Sequence, residues 1–349
     1  ALCVIRDGEV VVDLWGGYAD EARTRSWTAD TLVNVYSVGK ALAATMLLQL
    51  VDAGALTLDT RVCEVWPEFA AGGKAAVTVR QALCHEAGVP AIRQTLTDDD
   101  LRDWTTMADA LAATETWWPI GTRHAYHTNT YGFLLGEIVR RVTGDGPGRR
   151  LQRVAADVGD VPADVFFGVP DTDQARCADV IWAPSRPMDP HAIDRSQLTG
   201  DALMNVLAHF NPPGASSIGL VNTPSWRSAE VPSTNGHGSA RGVARFYAAL
   251  ADPDRLLSPS LLHTATRPQT LGPCTILGEE IAFGLGFTPT TERRPLGPNP
   301  NSFGHFGTGG ALGFADPDSG VAFGYVMNHV IPRWQSTRNR ALIDALFAG

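Results

Sequence analysis

At 349 residues the chain is long enough for one large domain or two closely joined ones with a sizeable core. It is 44% hydrophobic and 19% charged, which excludes a disordered protein, and no apolar run reaches the roughly 18 to 20 residues that a membrane-spanning helix needs. A net charge of −9 disfavours nucleic acid and anionic membrane surfaces as partners.

The chain opens with two alternating apolar runs, Leu2 to Ile5 and Val10 to Trp15, around Asp7-Gly8, which predicts a hairpin. There is neither an initiator Met nor a charged leader, so a preceding segment is expected, and the cytoplasm is expected over secretion. Residues 28–35 lead into a helix on which Leu42, Met46, Leu47, Leu50 and Val51 form an apolar stripe that Gly54 ends. Residues 55–69 read as a tight irregular connection, and Thr78 to Gly88 as a short helix with a Thr cap and a Gly stop, His85 within it being structural. Helical patterns follow at 99–114 and 131–143, separated by a loop at Trp117 to Thr122. Residues 144–235 hold many Pro, Gly and Asp, so short helices and long loops are expected there, forming a pocket wall. Helices are then predicted at 240–251 and 256–266, strands at 281–287, 302–306, 310–315 and 320–328, and a closing helix at 337–347. The fold class is therefore α+β. A mixed, mainly antiparallel sheet is built from residues 1–60 and 236–349 and flanked by helices, 61–235 form a largely helical insertion, and the active site lies between the two.

Five cysteines, odd in number and without Cys-x-x-Cys, argue against a disulfide framework or a zinc site and read as buried thiols. No His-Glu-x-x-His, phosphate loop, dinucleotide fingerprint or Gly-x-Ser-x-Gly is present, so neither metal nor cofactor is expected.

Ser37 stands at the N-cap or first turn of the predicted helix and Lys40 follows one turn later, which can place hydroxyl and amine in hydrogen-bond reach. Taken alone, Ser-x-x-Lys is usually an ordinary cap and a solvated lysine. Composition favours the other reading: of 28 Lys plus Arg, only Lys40 and Lys74 are lysine, and only a desolvated amine can lose its proton and act as a base. Two further stretches offer complementary groups. Tyr126, in Gly121-Thr-Arg-His-Ala-Tyr126-His127-Thr128-Asn129, is a possible base if cations lower its pKa, and Gly304-His305-Phe306-Gly307-Thr308-Gly309-Gly310 is a glycine-rich strand edge that a substrate can approach.

Ser37-x-x-Lys40, Tyr126 and His305-x-Gly307, together with Gly54-Ala-Leu-Thr-Leu-Asp59, Leu134-Leu-Gly-Glu137, Asn235-Gly-His-Gly238 and Leu312-Gly-Phe314, resemble in order and spacing the serine β-lactamase and penicillin-binding-protein superfamily, and within it the class C-like or family VIII esterases. The resemblance implies Ser37 as the acylated nucleophile and Lys40 with Tyr126 as general base and acid. It further implies the backbone N–H groups of Ser37 and Thr308 as an oxyanion hole, and His305 and Gly307 beside the substrate. Two departures carry information: the Tyr-x-Asn of the lactamases reads Tyr126-His127-Thr128, with Asn129 one place late, and His305 replaces a permanent cation. Both point towards hydrolysis of small neutral carboxylic esters, with Trp117, Trp118, Trp182 and Trp226 as candidate apolar walls. An acyltransferase, a β-lactamase or D-amino-acid peptidase, and a non-catalytic binding protein remain as rival readings.

Overall fold

The computed structural model describes residues 1–158, 164–182, 189–331 and 336–348. Strands β1 (Leu2–Arg6) and β2 (Glu9–Leu14) form the expected hairpin, and Asp7 and Gly8 both take positive φ, 51° and 84°. A turn of that hand matches the twist of the strands it joins. Then come helices α1 (Gly39–Asp52), α2 (Trp104–Ala113), α3 (Thr130–Thr143), α4 (Gly200–Phe210) and α5 (Ala240–Ala251). Strands β3 (Thr288–Pro289), β4 (Phe303–Phe306), β5 (Leu312–Asp316) and β6 (Val321–Tyr325) follow, and α6 (Thr337–Leu346) closes the chain.

Both chain ends build one antiparallel sheet in the order β2-β1-β6-β5-β4-β3. Its residues alternate between two cores, as the two-residue period of a strand requires. Cys3, Ile5, Phe303, Ala315 and Ala322 join the main core, which includes α1 and α5, whereas Val4, Phe306, Leu312, Phe314, Val321 and Phe323 pack with Ile343 of α6.

Helix α1 departs from the expected single stripe. Every residue from Gly39 to Leu48 is buried, and Leu50 as well, so the helix is enclosed on all sides, with α3 as its main helical neighbour. A helix that is apolar all round belongs inside.

Other elements are shorter or placed differently than the sequence suggested. The helix expected over 78–88 is confined to Val79–Leu83, started by a capping box between Thr78 and Gln81, and His85 already sits at φ 66°. The pattern at 99–114 breaks into a turn at Asp100–Arg102 and then α2, because the Asp103 carboxylate caps the N–H groups of Thr105 and Thr106. The strand expected at 281–287 is Glu279–Phe283, and it pairs with Thr270–Cys274 in a separate two-stranded hairpin rather than joining the main sheet. Gly272 and Pro273 had hidden that partner strand, since neither is a strand former. Between 144 and 235 the described residues form short helices and 3-10 turns; 159–163 and 183–188 lie outside them. The five cysteines are free thiols, four buried and Cys63 half-buried. No helix among the described residues is long and apolar enough to cross a membrane.

Candidate active site

Tyr36–Val38 form a 3-10 turn immediately before α1. Ser37 is therefore not the helix cap: Val38 holds that position with helical dihedrals and no side chain caps the helix. The Ser37 hydroxyl is left for other partners. Tyr36 has φ 51°, a left-handed conformation that is costly for an aromatic residue and persists only where surroundings impose it. Here the Ser217 hydroxyl donates to its phenolic oxygen at 3.3 Å and the Trp182 ring meets it edge-on at 6.4 Å.

Lys40 is fully buried, with Nζ 3.2 Å from Ser37 Oγ, 2.7 Å from the Thr128 carbonyl oxygen and 3.0 Å from that of Ser233. Gly39 makes the last contact possible, because a Cβ there would lie 2.6 Å from the Pro232 carbonyl oxygen and push residues 232–234 away. Burial holds the amine well below the usual lysine range. A neutral amine has two N–H donors and one lone pair. With the two donors on the Thr128 and Ser233 carbonyls, the lone pair is left facing Ser37 Oγ. The scarcity of lysine does not by itself single out this residue. Lys74 is equally sealed, its amine donating to the carbonyls of Ala71 and Thr114 and lowered to about 8 by burial, and it staples two loops.

The Tyr126 hydroxyl is hydrogen-bonded to Ser37, and Lys40 Nζ lies 4.7 Å from the centre of the Tyr126 ring. The structure overturns the expectation that cations lower its pKa. Burial raises it first and most, and the opposing effects of the Ser37 hydrogen bond and Arg294 do not offset that. Burial therefore favours the neutral phenol over the phenolate that a resident base would need.

His305 is 2% exposed, its Nδ1 bonded to the Phe306 carbonyl at 2.8 Å and its ring centre 6.3 Å from that of Tyr126. Its expected place was beside the substrate; Tyr126 is among the residues that line the cleft and His305 is not. Strand alternation turns its side chain to the same side as Phe303, into the core. Burial, with a smaller contribution from Lys40, lowers His305 to about 3, and burial lowers His127 to about 4, so both are neutral. His85, read as structural, accepts the His127 backbone N–H at 3.1 Å and packs 5.0 Å from the Tyr126 ring.

These depressed values have a consequence for acid stability. An unfolded histidine takes up its proton near pH 6.5, whereas the folded protein refuses it until about 4 or 3, so stability is complete above about pH 6.5 and is lost as pH falls through that window. Each group costs about 1.4 kcal/mol per pH unit once the unfolded histidine is protonated, so His127 and His305 together are expected to remove about 4 kcal/mol between pH 7.5 and pH 5. Urea unfolding at pH 7.5 and pH 5 measures this, and coincident midpoints would contradict the burial of neutral histidines.

Ser37, Tyr126, Thr128 and Thr308 line a cleft of about 310 Å³. Its apolar side is Tyr36, Trp182, Phe210, Ile218, Leu277 and Phe306, and its polar side adds His209, Ser216 and Thr234. Thr308 opens the turn after β4, and its N–H and that of Ser37 donate to no protein acceptor among the described residues. Gly307 lies just outside the lining and has a different task. A Cβ there would be 2.3 Å from the Val35 carbonyl oxygen, so its bare backbone lets the end of β4 lie against the segment that carries Ser37. A larger hollow of about 680 Å³, between the β1–β2 turn and the end of α5, contains none of these groups. Chemistry, not volume, identifies the site.

The Asn129 side chain is fully engaged. Its amide nitrogen donates to the carbonyls of Ala208 and His209 at 2.8 and 3.2 Å, and its oxygen accepts from Thr234 Oγ1 at 2.7 Å, so it is bound within the protein frame. Of the four candidate tryptophans only Trp182 reaches the cleft. Trp226 is buried with Nε1 on Asn34 Oδ1, Trp118 is core, and Trp117 is bonded to the Ala91 carbonyl. The walls that sequence reasoning missed come from separate loops and helices with no local signal; Tyr36 and Thr234, each next to or one residue from a recognised motif, were the exceptions.

A buried lysine amine bonded to a serine one helical turn before it, under an antiparallel sheet made from both chain ends, defines the β-lactamase and transpeptidase class. The chain belongs to the beta-lactamase family, whose model matches residues 1–347. It is 34% identical over 346 residues to the esterase/beta-lactamase LipL of Mycobacterium tuberculosis, covering 95% of this chain and 77% of that protein. Its structure is similar to the crystal structure of a family VIII carboxylesterase, with TM-score 0.88, 35% identity, and 99% and 90% of the two chains covered. It is also similar to that of a penicillin-binding protein homolog from Caulobacter crescentus, with TM-score 0.87, 37% identity, and 99% and 91% covered.

Proposed function

We propose that the protein is a serine carboxylesterase that cleaves small neutral esters through an acyl-enzyme on Ser37. The observation that carries this is the Lys40 amine, held by two carbonyls with its third position on Ser37 Oγ, opening into a cleft whose described lining has no Lys, Arg, Asp or Glu. Similarity to LipL and to a family VIII carboxylesterase supports the same reading.

In the reaction, Ser37 Oγ bonds to the ester carbonyl carbon as its proton passes to the lone pair of Lys40. The carbonyl oxygen, becoming an anion, is received by the N–H groups of Ser37 and Thr308, donors already in place at the start of a turn. When the carbon–oxygen bond to the alcohol breaks, the leaving oxygen is protonated from the Lys40 ammonium by way of the Tyr126 hydroxyl. Water then attacks the acyl carbon, giving a proton to Lys40; the bond from that carbon to Ser37 Oγ breaks, the Lys40 ammonium returns the proton to Oγ, and the carboxylic acid is released.

Charge decides the substrate class. A β-lactam presents a carboxylate, and a fixed cation to hold it is worth roughly 1.5 to 3 kcal/mol, or about 10 to 150-fold in affinity. Neutral, buried His305 cannot supply it. Turnover of p-nitrophenyl butyrate is therefore expected to exceed that of nitrocefin at least about tenfold in kcat/KM at pH 7 to 8. A nitrocefin value equal or higher would favour a lactamase.

A further inference from the structure

The polar side of the cleft holds two groups for which the mechanism has no use. Thr128 lends its backbone carbonyl to Lys40, but its Oγ1 is buried and has no hydrogen-bond partner. A buried hydroxyl left without a partner is costly, and native proteins rarely tolerate one unless something else completes it. His209, at the end of α4, directs Nδ1 to the Asn205 carbonyl at 2.9 Å, which fixes the ring proton there and leaves Nε2 as an acceptor without a partner among the described residues. Burial keeps this imidazole below the ordinary histidine range, so it is neutral at pH 7. Both residues line the cleft, and the frames that carry them are tied together: Asn129, next in the chain to Thr128, donates to the His209 carbonyl at 3.2 Å, and Ser216 Oγ donates to the same carbonyl at 2.7 Å. The same cleft is lined by the aromatic and aliphatic side chains of Tyr36, Trp182, Phe210 and Leu277.

We propose that Thr128 Oγ1 and His209 Nε2 form a binding site for a hydroxyl group on the substrate, so that esters carrying a hydroxyl on a short chain are preferred over plain alkyl esters. The substrate hydroxyl donates to His209 Nε2 and accepts from the Thr128 hydroxyl, and the alkyl remainder lies on the apolar wall. Uncharged partners on both sides select a hydroxyl over a carboxylate or an ammonium, because a charged group there would be buried without a counter-ion. A site with two polar atoms waiting for a partner discriminates against an analogue that lacks it far more strongly than an apolar pocket discriminates by size.

This inference rests on the esterase reading, and its test separates the two. Ethyl butyrate, each enantiomer of ethyl 3-hydroxybutyrate, and 2-hydroxyethyl butyrate are compared by kcat/KM, the last two placing the hydroxyl on the acyl and on the alcohol side. At least one hydroxylated ester is expected to exceed ethyl butyrate about tenfold or more. Thr128→Val and His209→Phe, which keep shape and remove the polar atom, are each expected to bring that ratio close to one. Because the ratio compares two substrates on one protein, partial loss of folded enzyme cancels. Hydrolysis of ethyl butyrate with no preference for any hydroxylated ester, or a preference that persists in either variant, overturns the inference and leaves the esterase reading standing. No turnover of any of these esters overturns both.

Discussion

Lys40→Arg is expected to be almost as inactive as Lys40→Ala, with kcat/KM for p-nitrophenyl butyrate about 10² to 10⁴-fold below that of the parent protein. The substitution keeps a positive charge and removes the only thing the reaction needs, an amine that can give up its proton. Burial depresses the lysine pKa, but a guanidinium stays protonated at any working pH. It would also bring five N–H donors to a space that offers two carbonyls and one hydroxyl. Lys40→Met, similar in length and uncharged, guards against a folding explanation: it should retain the parent circular dichroism and be equally inactive. Substantial turnover in the arginine variant would mean that Lys40 is a structural cation, like Lys74 on its two carbonyls.

The main architecture was legible because strand and helix periods are local properties. The Asp7-Gly8 turn, the helical spacing of the apolar residues of α1, though not its burial on every side, and the alternation of β4, β5 and β6 each announce themselves within a dozen residues. The pairing of Ser37 with Lys40, 3.2 Å apart, was legible for the same reason, being one helical turn apart. What failed were properties set by burial and by distant segments. The Tyr126 pKa moves opposite to expectation because the medium around the phenol outweighs the nearby cation. The burial of His305 was equally hidden, because motif position does not tell how deeply the strand sets the imidazole. Trp117, Trp118 and Trp226 could not be told apart from Trp182, since only the folded chain decides which indole faces the cleft. His209 gave no signal at all, its meaning depending on Thr128, eighty-one positions earlier, and on the unshared proton acceptor left by Asn205.

Ser37→Ala is expected to lower kcat on the order of 10⁵-fold or more, since among the described lining residues Ser37 carries the hydroxyl bonded to the Lys40 amine. Rate loss alone is indirect, and covalent capture is the more direct measurement. After incubation with a fluorophosphonate, peptide mass spectrometry is expected to find one adduct, on the peptide containing Ser37, and none in Ser37→Ala. Its hydroxyl is the one that faces the lone pair of a buried amine, at 3.2 Å, and it stands at a helix N-terminus that favours developing negative charge. An adduct on another serine, or turnover preserved in Ser37→Ala, would contradict a nucleophilic Ser37.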